Sequence, residues 1–264
     1  PSPFLAVPLE PPGEEWRTVD IGQLVRFWRH PVRFFLERII GLRLREEIPV
    51  IEESEPFALD PLQQYHLRRQ TIGELLAGLS PEQVRSSLEG SGRLPQGGFG
   101  SCAFKAVAAE SEPFAAQLRP LLAEAVAPME LDHAIGSFRL TGWLGQVYRG
   151  GWINWRTGAL RGADLVELWV HHLCLNLLAP AGVTLCSLHL ARDSQADVPL
   201  RSISLGPVAE AEKHLHQLLA FYWQGLTRPL PFFPETSWAW ARAEADRAEE
   251  EARSATGADD DRDA

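Results

Sequence analysis

The sequence has few cysteines, almost no lysine and no long apolar run, and each shortage narrows the class of protein. The three cysteines, Cys102, Cys174 and Cys186, lie far apart without metal-ligand spacing. They predict reduced thiols of a cytoplasmic protein, not a disulfide framework. No apolar run has the length needed to span a bilayer, so we do not expect a membrane protein. Lys105 and Lys213 are the only lysines, and arginine supplies almost all of the positive charge.

The remaining composition is that of an ordinary globular domain. The chain has 264 residues, of which 45% are hydrophobic and 23% are charged. This length is enough for one large α/β domain or two small ones. The net charge is −10, and residues 244–264 carry much of it. We predict a linker over residues 1–19, a folded domain over 20–242 and an acidic, disordered tail over 243–264. The overall charge therefore neither supports nor excludes contact with DNA.

The hydrophobic periodicity predicts helices in the first half of the chain and a mixture of strands and helices in the second. Asp20 and His30 are expected to cap the first two helices, and the later ones are predicted over 59–79, from Ser80, over 101–110, 114–125, 163–178 and 208–225. Three consecutive antiparallel strands are expected over 137–140, 143–148 and 152–155, with turns at 141–142 and 149–151. Further strands are predicted over 183–190 and 200–205. This order indicates an α/β domain, with a central sheet flanked by helices.

Three segments, in order, resemble the nuclease domains of the RecB, AddA and AddB type. The first is Arg-His-Pro-Val-Arg-Phe-Phe at 29–35, and the second is Leu-Pro-Gln-Gly-Gly-Phe-Gly at 94–100. The third comprises Leu-Thr-Gly-Trp-Leu-Gly at 140–145 and Trp-Ile-Asn-Trp-Arg-Thr-Gly at 152–158. Their order and spacing are most similar to the C-terminal domain of the RecC family. The resemblance implies a restriction-endonuclease-like PD-(D/E)XK core, a mixed sheet with a three-strand antiparallel meander between helices.

The resemblance also implies that the nuclease site is degenerate. Active relatives hold Mg²⁺ with two carboxylates on adjacent strands, with a lysine beside the second carboxylate and a histidine on a helix. The corresponding positions here are Gly145, Asn154, Arg156 and Phe104, and none supplies the expected group. We therefore expect no catalytic residue, no metal and no cofactor.

Other histidines, carboxylates and cysteines were considered as metal sites. Adjacent histidines, or histidines two residues apart, point to different sides of a helix, so His171–His172 and His214–His216 are not expected to chelate a metal. Some AddB-type relatives hold an iron–sulfur cluster through a cysteine at the position of His30, and no cluster is expected here. An enzymatic alternative is a non-standard metal site built from Asp132, Asp164 and Glu167.

The resemblance implies a subunit of the RecBCD complex, the ATP-dependent exodeoxyribonuclease V that processes double-strand breaks. In such a complex this domain would help split or guide duplex DNA and would dock the RecB and RecD subunits, with no membrane or small-molecule ligand. Arg149, Arg156 and Arg161 are the candidate DNA contacts. An alternative is a pure protein-interaction module without DNA contact, for which the partner-contact candidates are the aromatic residues Phe232, Phe233, Trp238 and Trp240.

Overall fold

The computed structural model describes residues 7–42, 59–95, 97–192 and 200–260. Its α-helices are α1 Ile21–Arg29, α2 Pro31–Phe34, α3 Pro61–Leu76, α4 Pro81–Gly90, α5 Gly98–Leu121, α6 Gly162–Leu178, α7 Ala211–Thr227 and α8 Pro234–Asp260. Its strands are β1 Thr18–Asp20, β2 Met129–Ile135, β3 Phe138–Leu144, β4 Val147–Tyr148, β5 Gly151–Arg156, β6 Ser187–Arg192 and β7 Leu200–Leu205. A 3₁₀ turn at Glu14–Arg17 precedes β1, and a π-helical turn at Phe35–Ile39 follows α2. Within the described ranges, no helix is long and apolar enough to cross a membrane.

The helix starts follow from side chains that satisfy free backbone N–H groups. The Asp20 carboxylate accepts from the N–H groups of Gly22 and Gln23, and His30 Nδ1 accepts from the Arg33 N–H at 3.1 Å. Ser80 begins α4 with a reciprocal bond to Gln83. These caps confirm the predicted starts of α1, α2 and α4, because each removes an unsatisfied donor at a helix terminus.

The strands form two sheets. In the first, β3 lies between β1, which is parallel to it, and β2, which is antiparallel. In the second, the order is β4-β5-β6-β7, and only β5 and β6 are parallel. Helix α6 connects these two parallel strands, as such a crossover requires. The result is a mixed α/β architecture with helices flanking the sheets.

The predicted three-strand meander is misplaced by one strand. β3 runs without interruption through Thr141 and Gly142, where a turn was expected, and Gly142 adopts a φ of +132° inside the strand. The chain bends instead at Gln146, with a φ of +57°, and then continues as β4. The first strand of the series is β2, whose polar residues conceal its period, since only Leu131 and Ile135 are fully buried.

Three other expectations differ from the structure. The expected linker ends earlier, because β1 pairs with β3 and Val19 is fully buried. The expected helices at 101–110 and 114–125 form one helix, α5, with Pro113 inside it. In the segment predicted to be disordered, α8 continues to Asp260, although almost all described side chains between 242 and 250 are exposed.

Two hydrophobic clusters hold these elements together. The larger joins α1, α6 and α7 to the first sheet and to Trp152, and includes Phe27, Leu140, Leu173 and Tyr222. The smaller joins α3, α4 and α5 to β5 and β6 through Ile153 and Leu190. Because neighbouring residues of a strand face opposite sides, Trp152 and Ile153 carry the two clusters on opposite faces of the second sheet.

Candidate functional site

Two of the four positions expected to be degenerate, Gly145 and Asn154, lie next to the pairing of β4 with β5. Val147 pairs with Trp152, and the Ile153 N–H donates to the Gln146 carbonyl at 3.0 Å. Gly145 and Asn154 are the next residues along each chain beyond this hydrogen bond, with Gly145 on the far side of the bend at Gln146. An added Cβ on Gly145 would meet no atom within 4 Å, so a side chain fits there.

Arg156 forms a largely buried ion pair beside Asn154. Its Nη1 lies 2.6 Å from Asp164 Oδ2, with side-chain exposures of 13% and 8%. Asp164 is the third residue of α6, and the same oxygen accepts from the Arg161 backbone N–H at 2.9 Å. A carboxylate in the first turn of a helix is stabilised by the helix dipole. Because its side chain is only 13% exposed, Arg156 points into the protein, whereas a DNA contact would need an exposed arginine.

His189 completes this polar cluster from β6. It pairs in register with Asn154, so both side chains leave the sheet on the same face, and it is 2% exposed. Neither ring nitrogen has a hydrogen-bond partner. Burial lowers the pKa of His189; the Asp164 carboxylate raises it and the Arg156 guanidinium lowers it. The imidazole is therefore favoured in its neutral form.

The fourth degenerate position lies elsewhere. Phe104 is buried in the smaller hydrophobic cluster, together with Ile153 and Leu190. These two residues alternate along their strands with Asn154 and His189, so they point to the other face of the sheet. The face that carries Asn154 packs against α6, where Trp152 stacks on His171 at 4.6 Å. Asn154 and Arg156 thus share the face of β5 that packs against α6, whereas Phe104 lies on the other face of the sheet.

The other two DNA-contact candidates are exposed arginines. Arg149 pairs with Glu124 at 2.8 Å, but both side chains are mainly in solvent, at 74% and 63% exposure. Such exposed ion pairs contribute at most about 1 kcal/mol to stability. The pair with Glu124 would therefore only weakly hinder Arg149 from binding a DNA phosphate instead. Arg161 is exposed at the start of α6.

Of the four aromatic candidates for partner contact, two line an apolar groove and two are exposed. Phe232 packs edge-to-face on Trp28 at 5.3 Å, and Trp238 lines the same apolar groove of about 310 Å³. The groove is bounded by α6, α7 and α8, with Leu165, Val166, Trp169 and Leu218 among its lining residues. Phe233 and Trp240 remain 47% and 65% exposed.

The alternative acidic site is not assembled. Asp132 accepts from Nε and Nη2 of Arg139. Glu167 pairs with Arg29, and Asp164 pairs with Arg156. In the described part of the chain, no group of three or more histidines, cysteines or carboxylates could hold a metal ion. His171 and His172 instead contact Trp152 and Ser187, respectively.

His189 was missed by the reasoning from sequence. Its signal was present, because it alternates with Leu188 and Leu190 in a strand that was expected. Its relation to Asn154 depends on the parallel pairing of β5 and β6, and the sequence does not reveal which strands pair.

These features define a mixed α/β domain whose central polar residues are neutralised by an internal ion pair. The model of the RecC C-terminal domain matches residues 16–245, and the chain belongs to that family. A RecBCD enzyme subunit RecC from Escherichia coli strain K12 is 32% identical over 85% of this chain and 19% of the relative. Those from Mycolicibacterium smegmatis and Buchnera aphidicola (from Acyrthosiphon pisum) are 26% and 22% identical over 91% and 84% of this chain. The chain spans about a fifth of the length of these relatives.

Proposed function

We propose that the chain is a non-catalytic domain of a RecBCD-type helicase–nuclease in double-strand break repair and recombination. In this role it helps split or guide duplex DNA and docks the RecB and RecD subunits. The observation that carries the proposal is the Arg156–Asp164 pair, at 2.6 Å, in the place where a nuclease of this resemblance needs a free lysine beside a metal. With Gly145 and Asn154 in the carboxylate positions, the residues present do not fit a Mg²⁺ site.

The proposal includes an inactivated PD-(D/E)XK ancestry. It is supported by the order of β2, β3, β4, β5, α6 and β6. It is also supported by the position of Gly145 and Asn154, each one residue beyond the hydrogen bond between Ile153 and Gln146. Together, Gly145→Asp, Asn154→Asp and Arg156→Lys would place two carboxylates on adjacent strands. The open space at Gly145 accommodates the new side chain.

This triple variant tests the ancestry directly. We expect Mg²⁺ or Mn²⁺ to raise its melting temperature, because binding to the folded state stabilises it. The parent and Arg156→Lys alone serve as controls and should not respond. Adding Phe104→His should lower stability without improving metal binding, because Phe104 lies on the other face of the sheet. A folded triple variant without metal-dependent stabilisation would show that these positions do not converge.

Contact with DNA would use exposed arginines. The test is binding of the 264-residue chain to forked DNA over a range of salt concentrations. Replacing Arg149 and Arg161 with alanine should weaken binding and reduce the salt dependence by about one unit of slope for each lost phosphate contact. Arg242→Ala, at an exposed position on α8, is the matched control. Equal binding by the parent, the arginine variant and the control would contradict a role of these arginines in binding DNA.

The second candidate is a pure protein-interaction module, favoured by the apolar groove and the exposed aromatic residues beside it. Its test is capture of separately purified RecB and RecD by the chain. Phe233→Ala with Trp240→Ala should reduce capture while leaving DNA binding unchanged. Capture that persists without any binding to forked DNA would favour this candidate over the first.

A further inference from the structure

A small polar cavity lies where α3 and α5 meet the ends of β5 and β6. The polar residues that line it are Arg68 from α3, Glu110 and Ser111 from α5, Thr157 after β5 and Arg192 at the end of β6. Its volume is about 10 Å³, which is close to the smallest volume that holds one water molecule. The cavity therefore has room for a ligand with a single non-hydrogen atom.

Glu110 joins the two arginines beside this cavity. Its Oε2 lies 2.7 Å from Arg68 Nε, and its Oε1 lies 2.9 Å from Arg192 Nη2. Each carboxylate oxygen thus accepts from a different arginine. Because the lining carries two positive charges and one negative charge, it disfavours a cation and favours a ligand that accepts hydrogen bonds.

Two buried polar atoms of the lining residues have no hydrogen-bond partner among the described residues. They are Oγ of Ser111, a residue that is 1% exposed, and Nε of Arg192. The serine hydroxyl can donate or accept, whereas the arginine Nε–H can only donate. Buried polar atoms are usually hydrogen-bonded to protein or to an ordered water, because an unpaired one costs free energy. The chemistry of the lining therefore indicates a bound acceptor.

We propose that this cavity binds one water molecule, which links Ser111 on α5 to Arg192 at the end of β6. The water oxygen accepts from Arg192 Nε–H, and the Ser111 hydroxyl and the Glu110 carboxylate supply its other polar partners. The backbone N–H of Arg192 donates to the Gly158 carbonyl at 3.1 Å, so the water connects α5 to a fixed strand end. This site lies outside the DNA and docking roles, because it depends only on contacts within the chain.

A halide ion is the other small ligand that accepts hydrogen bonds and suits the positive charge of the lining. It is larger than water, and the cavity is only just large enough for water. The volume therefore favours water, and the dependence of the melting temperature on chloride distinguishes the two ligands.

The first test compares the melting temperature of Ser111→Ala with that of Thr71→Val. Thr71 is a matched control, since it is also 1% exposed and its Oγ1 has no partner in the described part of the chain, yet it does not line the cavity. Removing a buried hydroxyl without a partner should leave the melting temperature unchanged or raise it. We expect this result for Thr71→Val. Ser111→Ala should melt about 3 °C or more below the parent, although alanine is the better helix former, because the water loses a partner.

The second test detects the water by nuclear magnetic resonance. The Arg192 Nε–H signal, identified by its loss in Arg192→Lys, should show cross-relaxation with a long-lived water molecule in the parent. The melting temperature of the parent should be the same in sodium chloride and sodium gluconate at equal ionic strength. The proposal is overturned if Ser111→Ala melts at or above the parent, or if Arg192 Nε–H shows no contact with water. A gain in chloride that Ser111→Ala abolishes would also overturn it, since the ligand would then be the halide.

Discussion

At the scale of single residues, two neighbouring glycines before Trp152 have very different surroundings. Gly151 has a φ of +123°, and an added Cβ would lie 2.0 Å from the Cys186 carbonyl oxygen. Gly150 has neither a positive φ nor an atom within 4 Å of an added Cβ. We expect Gly151→Ala to lower the free energy of unfolding by about 2 kcal/mol or more and Gly150→Ala to change it by about 0.5 kcal/mol or less. Urea unfolding measures both, and equal losses would contradict the tight approach of β5 to Cys186.

The residues of the candidate site were only partly predictable from the sequence. Gly145, Asn154 and Arg156 could be found because they lie in one short segment with recognisable spacing. The role of Asp164 could not, because it sits on α6 and meets Arg156 only after the chain has folded back. Phe104 was assigned to the site from its position after a glycine-rich loop, whereas its burial with Ile153 places it on the opposite face of the sheet.

At the scale of elements, the docking of α6 on the second sheet should depend on pH. Burial lowers the pKa values of His171, His172 and His189 from the ordinary value of 6.5. As pH falls below about 6.5, these histidines therefore bind protons in the unfolded chain at a higher pH than in the folded chain. The free energy of unfolding should be at its full value above that pH and should decrease between pH 6.5 and about 5. Unfolding in urea across this range measures the decrease.

A control for this pH dependence is His189→Gln, which removes one of the three titrating groups. Its stability should fall less steeply over the same range than that of the parent. The carboxylates with lowered pKa values, Asp132 and Glu210, titrate below this window, because their ordinary values are 3.8 and 4.5. Stability that stays constant or rises as pH falls to 5 would contradict the neutral, buried state of the histidines.

Helix α8 should contribute to stability only through its first turns. Trp238 lines the apolar groove, whereas Trp240 is 65% exposed and residues 245–248 are exposed. We expect Trp238→Ala to cost about 2 kcal/mol and Trp240→Ala less than about 0.5 kcal/mol. Deletion after Arg247 should leave the melting temperature nearly unchanged. A large drop on that deletion would show that the end of α8 packs on the domain.

The elements themselves were predictable where their pattern was strong. The caps of α1 and α4 and the extents of β7 and α6 follow closely from local residues. β2 was missed because Glu130, Asp132 and His133 interrupt its apolar alternation. β1 was missed because its three residues become a strand only by pairing with β3. Local pattern therefore identifies the helices better than strands that depend on distant partners.

At the scale of the whole molecule, two hydrophobic clusters lie on the two faces of the second sheet, which carries the candidate site. The larger cluster fixes α6, and through it Asp164, while the smaller fixes the other face of β5 and β6. At this place Asp164 is held in an ion pair with Arg156. The surface of the described residues offers exposed arginines and an apolar groove.

Our central proposal, that this domain does not cut DNA, is tested most directly by a cleavage assay of the 264-residue chain. Linear and forked duplexes are incubated with Mg²⁺ or Mn²⁺, and the products are compared with those of Asp164→Asn. We expect no metal-dependent product from either protein, because the described residues hold no group of histidines, cysteines or carboxylates that could bind a metal ion. Cleavage that increases with the concentration of the parent chain and is lost in Asp164→Asn would contradict the account.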